Sequence, residues 1–371
     1  MNPTVAILLV GSCVATSCAL VGTFLVLRRM ALLGDAISHA VVPGIVIAFL
    51  VTGTRAPVPM IIGAGLLGVL TVFLVELFNR TQRLKEDASI GVVFPALFSI
   101  GVLLVSRYAA DVDLDLDCVL YGEIAYTPWD VLIVRGSEFG PKALWVNGSV
   151  LLLDLALVLL LFKELKLTTF DPQLAAALGF SPVLMHYVLM SAVSVTVVGA
   201  FESVGAILVV AMLVVPPAAA YLLTDRLGFM LAISVVLGVI SAVGGYGLAR
   251  VLDVSIAGAI ATVAGGIFLL VFLLSPRYGL LARMVRERRL GAVLAEQLLL
   301  AHLQHGDRAV PMDELASRFS WSGERLRRTV DGLVTRGWVE AGAQGLSLTR
   351  DGLDAVERAG QQPLRHQDAP A

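Results

Sequence analysis

Asp35 and His39 stand four residues apart inside an apolar run, 30–51. On a helix that spacing puts both side chains on one face, about 6 Å apart. A carboxylate and an imidazole held together can chelate a divalent cation, and an oxygen–nitrogen pair suits manganese, iron or zinc better than magnesium or copper(I). Two ligands do not fill a tetrahedral site, but a symmetric dimer would bring two Asp and two His to its axis. The same residues also fit a satisfied Asp35–His39 hydrogen bond, or Asp35 capping a helix near the inner surface. Ser38 lies on a neighbouring face, as a further oxygen donor or a helix contact. An ionised group at a span centre costs about 2.5–3.5 kcal/mol, so each needs a reason to be there.

Two other acids fall at membrane depth. Asp154 sits mid-way along an apolar run and is a pathway candidate by default. Glu202 separates two apolar runs and reads either as part of an outer turn or as a pathway carboxylate. Asp111, Asp113, Asp115 and Asp117 alternate with apolar residues, as an acidic ribbon or a solvated loop would. Pro43-Gly44 and Pro216-Pro217, with Pro95 and Gly265-Gly266, interrupt apolar runs and are candidate helix breaks. Such breaks serve as packing kinks or line a polar path. The chain has no G-x-x-x-x-G-K-[ST], no H-E-x-x-H and no G-x-S-x-G. It therefore lacks a phosphate-cradling loop, and it is expected to be no enzyme.

The elements that must position these groups follow from composition. Of 371 residues 57% are hydrophobic and 15% charged, against about 25% charged in soluble domains. Residues 1–282 hold 14 basic and 17 acidic residues, whereas the last 89 hold 13 and 12. The expected fold is an all-α polytopic membrane protein followed by a small water-soluble domain. Nine spans are expected, at 5–27, 30–51, 58–78, 88–106, 143–163, 182–201, 203–224, 227–249 and 254–275, where about 20 apolar residues cross the bilayer. The sixth and seventh could instead form one broken element. Arg28, Arg29, Arg80, Arg83, Lys85, Lys163, Lys166 and Arg226 then fall on one side, against Arg55 and Arg250 in short loops opposite. That bias puts the N-terminus outside and the C-terminus in the cytoplasm. Arg28-Arg29 follow the first run, the wrong polarity for a cleaved signal peptide. Three cysteines make no disulfide framework.

The run Leu32–Gly44, with Gly34, Asp35, Ser38, His39, Pro43 and Gly44, closely resembles the hallmark of the manganese/zinc/iron permeases of ATP-binding-cassette importers. Four more stretches are similar to that family and follow in its order: Lys85–Gly91, Asp115–Gly122, Phe170–Gly179 and Val204–Pro216. The resemblance implies a permease that dimerises with itself or a related subunit, binds two separate ATPase subunits inside, and receives metal from an extracytoplasmic binding protein. Asp35 and His39 would line the path, and manganese, zinc or iron would be the transported substrate rather than a resident cofactor. It implies a bacterial inner-membrane location. Cys118 stands where relatives often carry histidine. Within Phe170–Gly179, Asp171 reads as a cap, Pro172 as the first helical residue and Gly179 as the stop. The short helix with Ala175 and Ala176 is similar to the coupling helix that fits a cleft on an ATPase.

The charged end divides into a linker, 283–288, a domain, 289–360, and a disordered tail, 361–371. Helices at 289–306, 311–319 and 322–334, an alternating stretch at 337–349 and a last helix look like a winged helix-turn-helix, similar to metal-dependent repressors. Arg325, Arg327 and Arg328 lie on its third helix, where a DNA reader places contacts, although this region nets only +1 and DNA readers are strongly basic. The expected function is the permease subunit of a metal importer. The alternatives are an ATP-independent channel or secondary transporter, and a membrane-anchored regulator.

Overall fold

A computed structural model describes residues 2–40, 42–54, 57–80, 86–108, 124–134, 137–276, 278–304, 309–319, 321–342 and 345–361. The chain divides into two compact units, Met1–Gly279 and Leu280–Ala371.

The first unit is built almost wholly of helices. In chain order they are α1 (Pro3–Leu27), α2 (Ala31–Ala40), α3 (Val42–Thr52), α4 (Pro57–Arg80) and α5 (Glu86–Tyr108). An antiparallel hairpin follows, β1 (Val131–Val134) with β2 (Ser137–Pro141). Then come α6 (Lys142–Leu160), α7 (Phe162–Phe170), α8 (Pro172–Ala177), α9 (Pro182–Val204), α10 (Ala206–Tyr221), α11 (Leu227–Leu252) and α12 (Ile256–Leu274). Three helices open on a polar cap followed by proline: Asn2-Pro3, Asp171-Pro172 and Ser181-Pro182. The cap side chain accepts from a backbone N–H two or three residues on, and proline at the first position forfeits no helical bond.

Among the described residues eight helical stretches are long and apolar enough to cross a membrane: α1, α2 with α3, α5, α6, α9, α10, α11 and α12. The expected span at 58–78 is α4, whose apolar described run is Ile62–Phe78. The sixth and seventh expected spans are two helices joined at Gly205, with φ 79° and ψ 163°, a conformation open to glycine without strain. The acidic ribbon at 111–117 and Cys118 lie outside the described residues.

At the centre stand α1 and α10. Helix α1 packs against α6, α9, α10 and α11, and α10 against α1, α2, α11 and α12. In lipid such packing relies on small residues that let backbones approach. Gly22 of α1 meets the backbone of Leu213 in α10, and Gly44 of α3 meets Gly63 of α4 so closely that a Cβ on either would strike the other's backbone.

The expected helix break at Pro216 and Pro217 does not occur: α10 runs through both. Proline lacks the donor that the carbonyl four residues back requires, so Met212 and Leu213 lose one bond each. The freed Leu213 carbonyl lies against Gly22, so a neighbouring helix covers it where the chain would otherwise face lipid. Pro43 is the second residue of α3, in the first turn, where its missing N–H costs nothing.

The second unit begins with α13 (Leu280–Gln304), followed by α14 (Met312–Phe319), α15 (Gly323–Thr335), β3 (Val339–Gly342), β4 (Gly345–Leu348) and α16 (Arg350–Gln361). The expected linker at 283–288 belongs to α13; between Leu280 and Leu290 no glycine or proline stops a helix. The strands pair antiparallel, and Val310 adds a bridge to Leu346. Leu299, Leu303, Leu315, Leu326, Leu333, Val339 and Leu346 share one apolar core. The expected tail from 362 on lies outside the described residues.

Candidate metal pathway

Helix α2 is short and crowded: α4, α5, α9 and α10 all pack on it. Leu33, Ala36, Ile37 and Ala40 are buried. Asp35 is half-buried and shares the less buried side with Ala31 and Leu32. His39 follows one turn on in the sequence, and its side chain and that of Ser38 lie outside the described part. Gly34 lies against Leu213, where a Cβ would collide. The α10 segment ahead of Pro216-Pro217 therefore bears directly on the turn that carries Asp35. Pro43 and Gly44 are buried where α3 meets its neighbours, with Pro43 against Gly101 of α5.

Asp154 is elsewhere. It is fully buried on α6, 0% exposed, and its Oδ2 accepts a hydrogen bond from Thr196 Oγ1 of α9 at 2.8 Å. Its Oδ1 and Ser17 Oγ of α1 are buried without a hydrogen-bond partner. Glu202, at the far end of α9, is exposed and accepts from Lys142 Nζ at 3.0 Å; it tethers α6 to α9 at the surface.

Asp171 caps α8 through Leu174 N at 2.9 Å. Gly179, at φ 87°, ends it: Phe180 N donates to Ala175 O and Gly179 N to Ala176 O, the paired bonds of a glycine-terminated helix. Ala175 is buried, whereas Leu174, Ala176 and Leu178 are exposed. The exposed side of this short helix is mostly apolar, with Gln173 its one polar side chain.

Residues 2–275 match the family described as the ABC 3 transport family. The chain belongs to that family. Similar proteins include the manganese transport system membrane protein MntD of Bacillus subtilis, 52% identical over 280 residues that span 76% of this chain and 95% of that one. The zinc transport system membrane protein TroD of Treponema pallidum is 45% identical over 363 residues, 95% of this chain and 98% of that one, so the likeness extends over most of the second unit. Among solved structures, PsaBC from Streptococcus pneumoniae in complex with Fab superposes with a TM-score of 0.63 at 30% identity, covering 75% of this chain and 94% of that one. This ABC 3 family chain is thus a membrane transport permease.

Two of the three candidate arginines of its second unit are engaged. Arg325 donates to Gly291 O at 3.3 Å and lies over the Trp321 ring. Arg328 pairs with Glu324 one turn back, and Arg327 is exposed. Three contacts in the permease unit escape the sequence reading. Arg28, just after α1, donates from Nε to Thr169 Oγ1 and from Nη2 to Thr168 Oγ1, both at 3.1 Å. His186 Nε2 stands 3.9 Å from Glu76 Oε2. Asn147 Nδ2 donates to Ser203 Oγ at 2.9 Å. Only the last had a readable signal: Asn147 and Asp154 are seven apart on α6, as are Thr196 and Ser203 on α9.

Proposed function

We propose that this chain is the permease subunit of an ATP-binding-cassette importer that carries a divalent first-row transition metal into the cytoplasm through a path touched by Asp35 and His39. The observation that carries the reading is α2 itself: Asp35 is half-buried, on the less buried side of a helix otherwise enclosed by four others, and His39 follows four residues on in the sequence. Manganese and zinc are the metals named for the two relatives, and iron belongs to the same donor chemistry. A second permease subunit, the same chain or a related one, would face that side and complete the ligand set. An extracytoplasmic metal-binding protein would deliver the ion. Binding in the path is weak enough to release it.

Nine spans, with α4 counted and the N-terminus outside, would put α8 and the C-terminus on the cytoplasmic side. Separate ATPase subunits then dock on the apolar face of α8, and their closure swings the bundle between outward and inward access. The second unit reads as a winged helix-turn-helix. Its Arg325 and Arg328 are held by protein groups, which favours a regulatory protein contact over DNA.

The test is uptake by proteoliposomes holding this chain with its ATPase. Manganese or zinc is expected to accumulate only with ATP inside the compartment that carries the ATPase. Equal uptake without nucleotide would assign the chain to the channels or secondary transporters.

A further inference from the structure

A groove of about 750 Å³ opens between α7 and the start of α11, a size in the range of ligand sites. Phe162, Lys166 and Phe170 line it from α7, at four-residue spacing and so on one face. Asp225, Arg226 and Phe229 line it from the other side. Asp225 accepts a hydrogen bond from Tyr278 Oη at 2.9 Å, and against its one negative charge the lining sets two positive ones. Lys166 and Arg226 have no ion pair among the described residues and leave the groove cationic.

Its place in the bundle selects the ligand. Helix α6, a membrane-crossing stretch, ends at Leu160, two residues before Phe162, and the crossing stretch of α11 starts at Leu227, beside Arg226. The groove therefore lies at the level where spans leave the hydrocarbon. From Phe229 an exposed apolar row continues along α11 through Ala232, Val236, Ile240 and Val243. On the other wall Leu155, Leu159 and Leu160 of α6 are exposed. Apolar tracks lead from the groove into the bilayer on both sides, and two cations stand at its mouth, as basic pockets for lipid headgroups do.

We propose that this groove binds one anionic phospholipid, its phosphate between Lys166 and Arg226 and its acyl chains along the Phe162 and Phe229 walls. A protein partner would need a surface reaching past these lipid-facing rows, and a free anion would leave the three phenylalanines without a role. The lipid sits beside α7, which leads into α8, so it braces the coupling helix. Only that last consequence rests on the permease reading; binding itself does not.

The experiment is native mass spectrometry of the full chain in detergent with equal phosphatidylglycerol and phosphatidylcholine. The wild-type chain is expected to retain one phosphatidylglycerol, preferred about tenfold over phosphatidylcholine, and millimolar inorganic phosphate should not displace it. Lys166→Gln/Arg226→Gln should lose the preference, with Lys166→Gln alone intermediate, while Arg250→Gln keeps it. Elution volume and unfolding temperature establish that the variants are folded. Equal retention of both lipids, an unchanged preference in the double variant, or displacement by phosphate would each overturn the assignment. So would a double variant that keeps its lipid but no longer copurifies with ATPase subunits, which would mark a protein surface instead.

Discussion

Asp154 of α6 and Thr196 of α9 are joined by a 2.8 Å hydrogen bond at a position sealed from solvent. The bond is one rung of three. Seven residues toward the N-terminus of α6, Asn147 meets Ser203, seven residues further along α9. At the end of the helices Lys142 meets Glu202. The seven-residue steps from Asp154 to Asn147 and from Thr196 to Ser203, taken in opposite directions, describe an antiparallel pair held in register by these two polar contacts.

The rungs should differ in worth. Thr196→Val would remove the 2.8 Å hydrogen bond that Asp154 accepts, and stranding a buried acceptor costs about 1–3 kcal/mol. Ser203→Ala leaves Asn147 its second bond, to Ala143 O, and should cost nearer the ~0.6 kcal/mol typical of interhelical bonds in lipid. Unfolding of the two variants in mixed micelles would rank them; a larger loss for Ser203→Ala would contradict this account.

Asp35 and Asp154 should separate in transport. Asp154 is enclosed by α1, α6 and α9, while Asp35 sits on a less buried side. Asp154→Asn keeps a carbonyl oxygen for Thr196 and should leave metal uptake within about twofold of wild type; a twofold change is under 0.5 kcal/mol in the barrier. Asp35→Asn and His39→Ala should each abolish uptake with assembly and ATP hydrolysis intact. Normal uptake in both would remove the proposed path.

Much of this was legible beforehand because it depends on local chemistry. Apolar runs of bilayer length place the helices, and the cap-proline pair Asp171-Pro172 fixes the start of α8. The family follows from ordered motifs. What escaped depends on partners distant in sequence. Nothing local says that Arg28 reaches Thr168, 140 residues away, or that the carbonyl freed by Pro217 meets Gly22. The same cause explains the misplaced break at Pro216-Pro217: a proline pair reads as a stop unless the helix that covers it is known.

The α3–α4 crossing offers a direct check on backbone packing. Gly44 and Gly63 face each other with no room for a side chain, and forcing one in costs about 1–3 kcal/mol. Gly63→Val should therefore lower the yield and unfolding temperature of the chain. Gly65, two residues on, has open space at its Cβ position. Gly65→Ala should be neutral or stabilising by about 0.5–1 kcal/mol, since alanine restricts the unfolded chain. Equal damage from both would mean that the helices do not cross at these glycines.

Arg28 ties the end of α1 to α7 through two hydrogen bonds. It follows α1 directly, and Arg29 after it takes a left-handed conformation, φ 62°. Met30 N and Arg29 N close the end of α1 on Leu25 O and Val26 O, so the turn into α2 is tight and stiff. Arg28 holds the adjacent hydroxyls of Thr168 and Thr169 on α7, and α8 begins after Asp171. On the coupling proposed above, a displacement of α8 would reach the start of α2, and hence Asp35, through one forked side chain. Lysine keeps the charge but not the fork. In the assembled importer Arg28→Lys should leave ATP hydrolysis near wild type and lower metal carried per ATP about fivefold or more, the loss expected when a two-pronged charged contact of about 1 kcal/mol or more is removed. Thr168→Val/Thr169→Val should reproduce the effect from the other side. A proportional fall in hydrolysis and uptake would mean that Arg28 merely supports the fold, whereas hydrolysis without transport would mark it as the link.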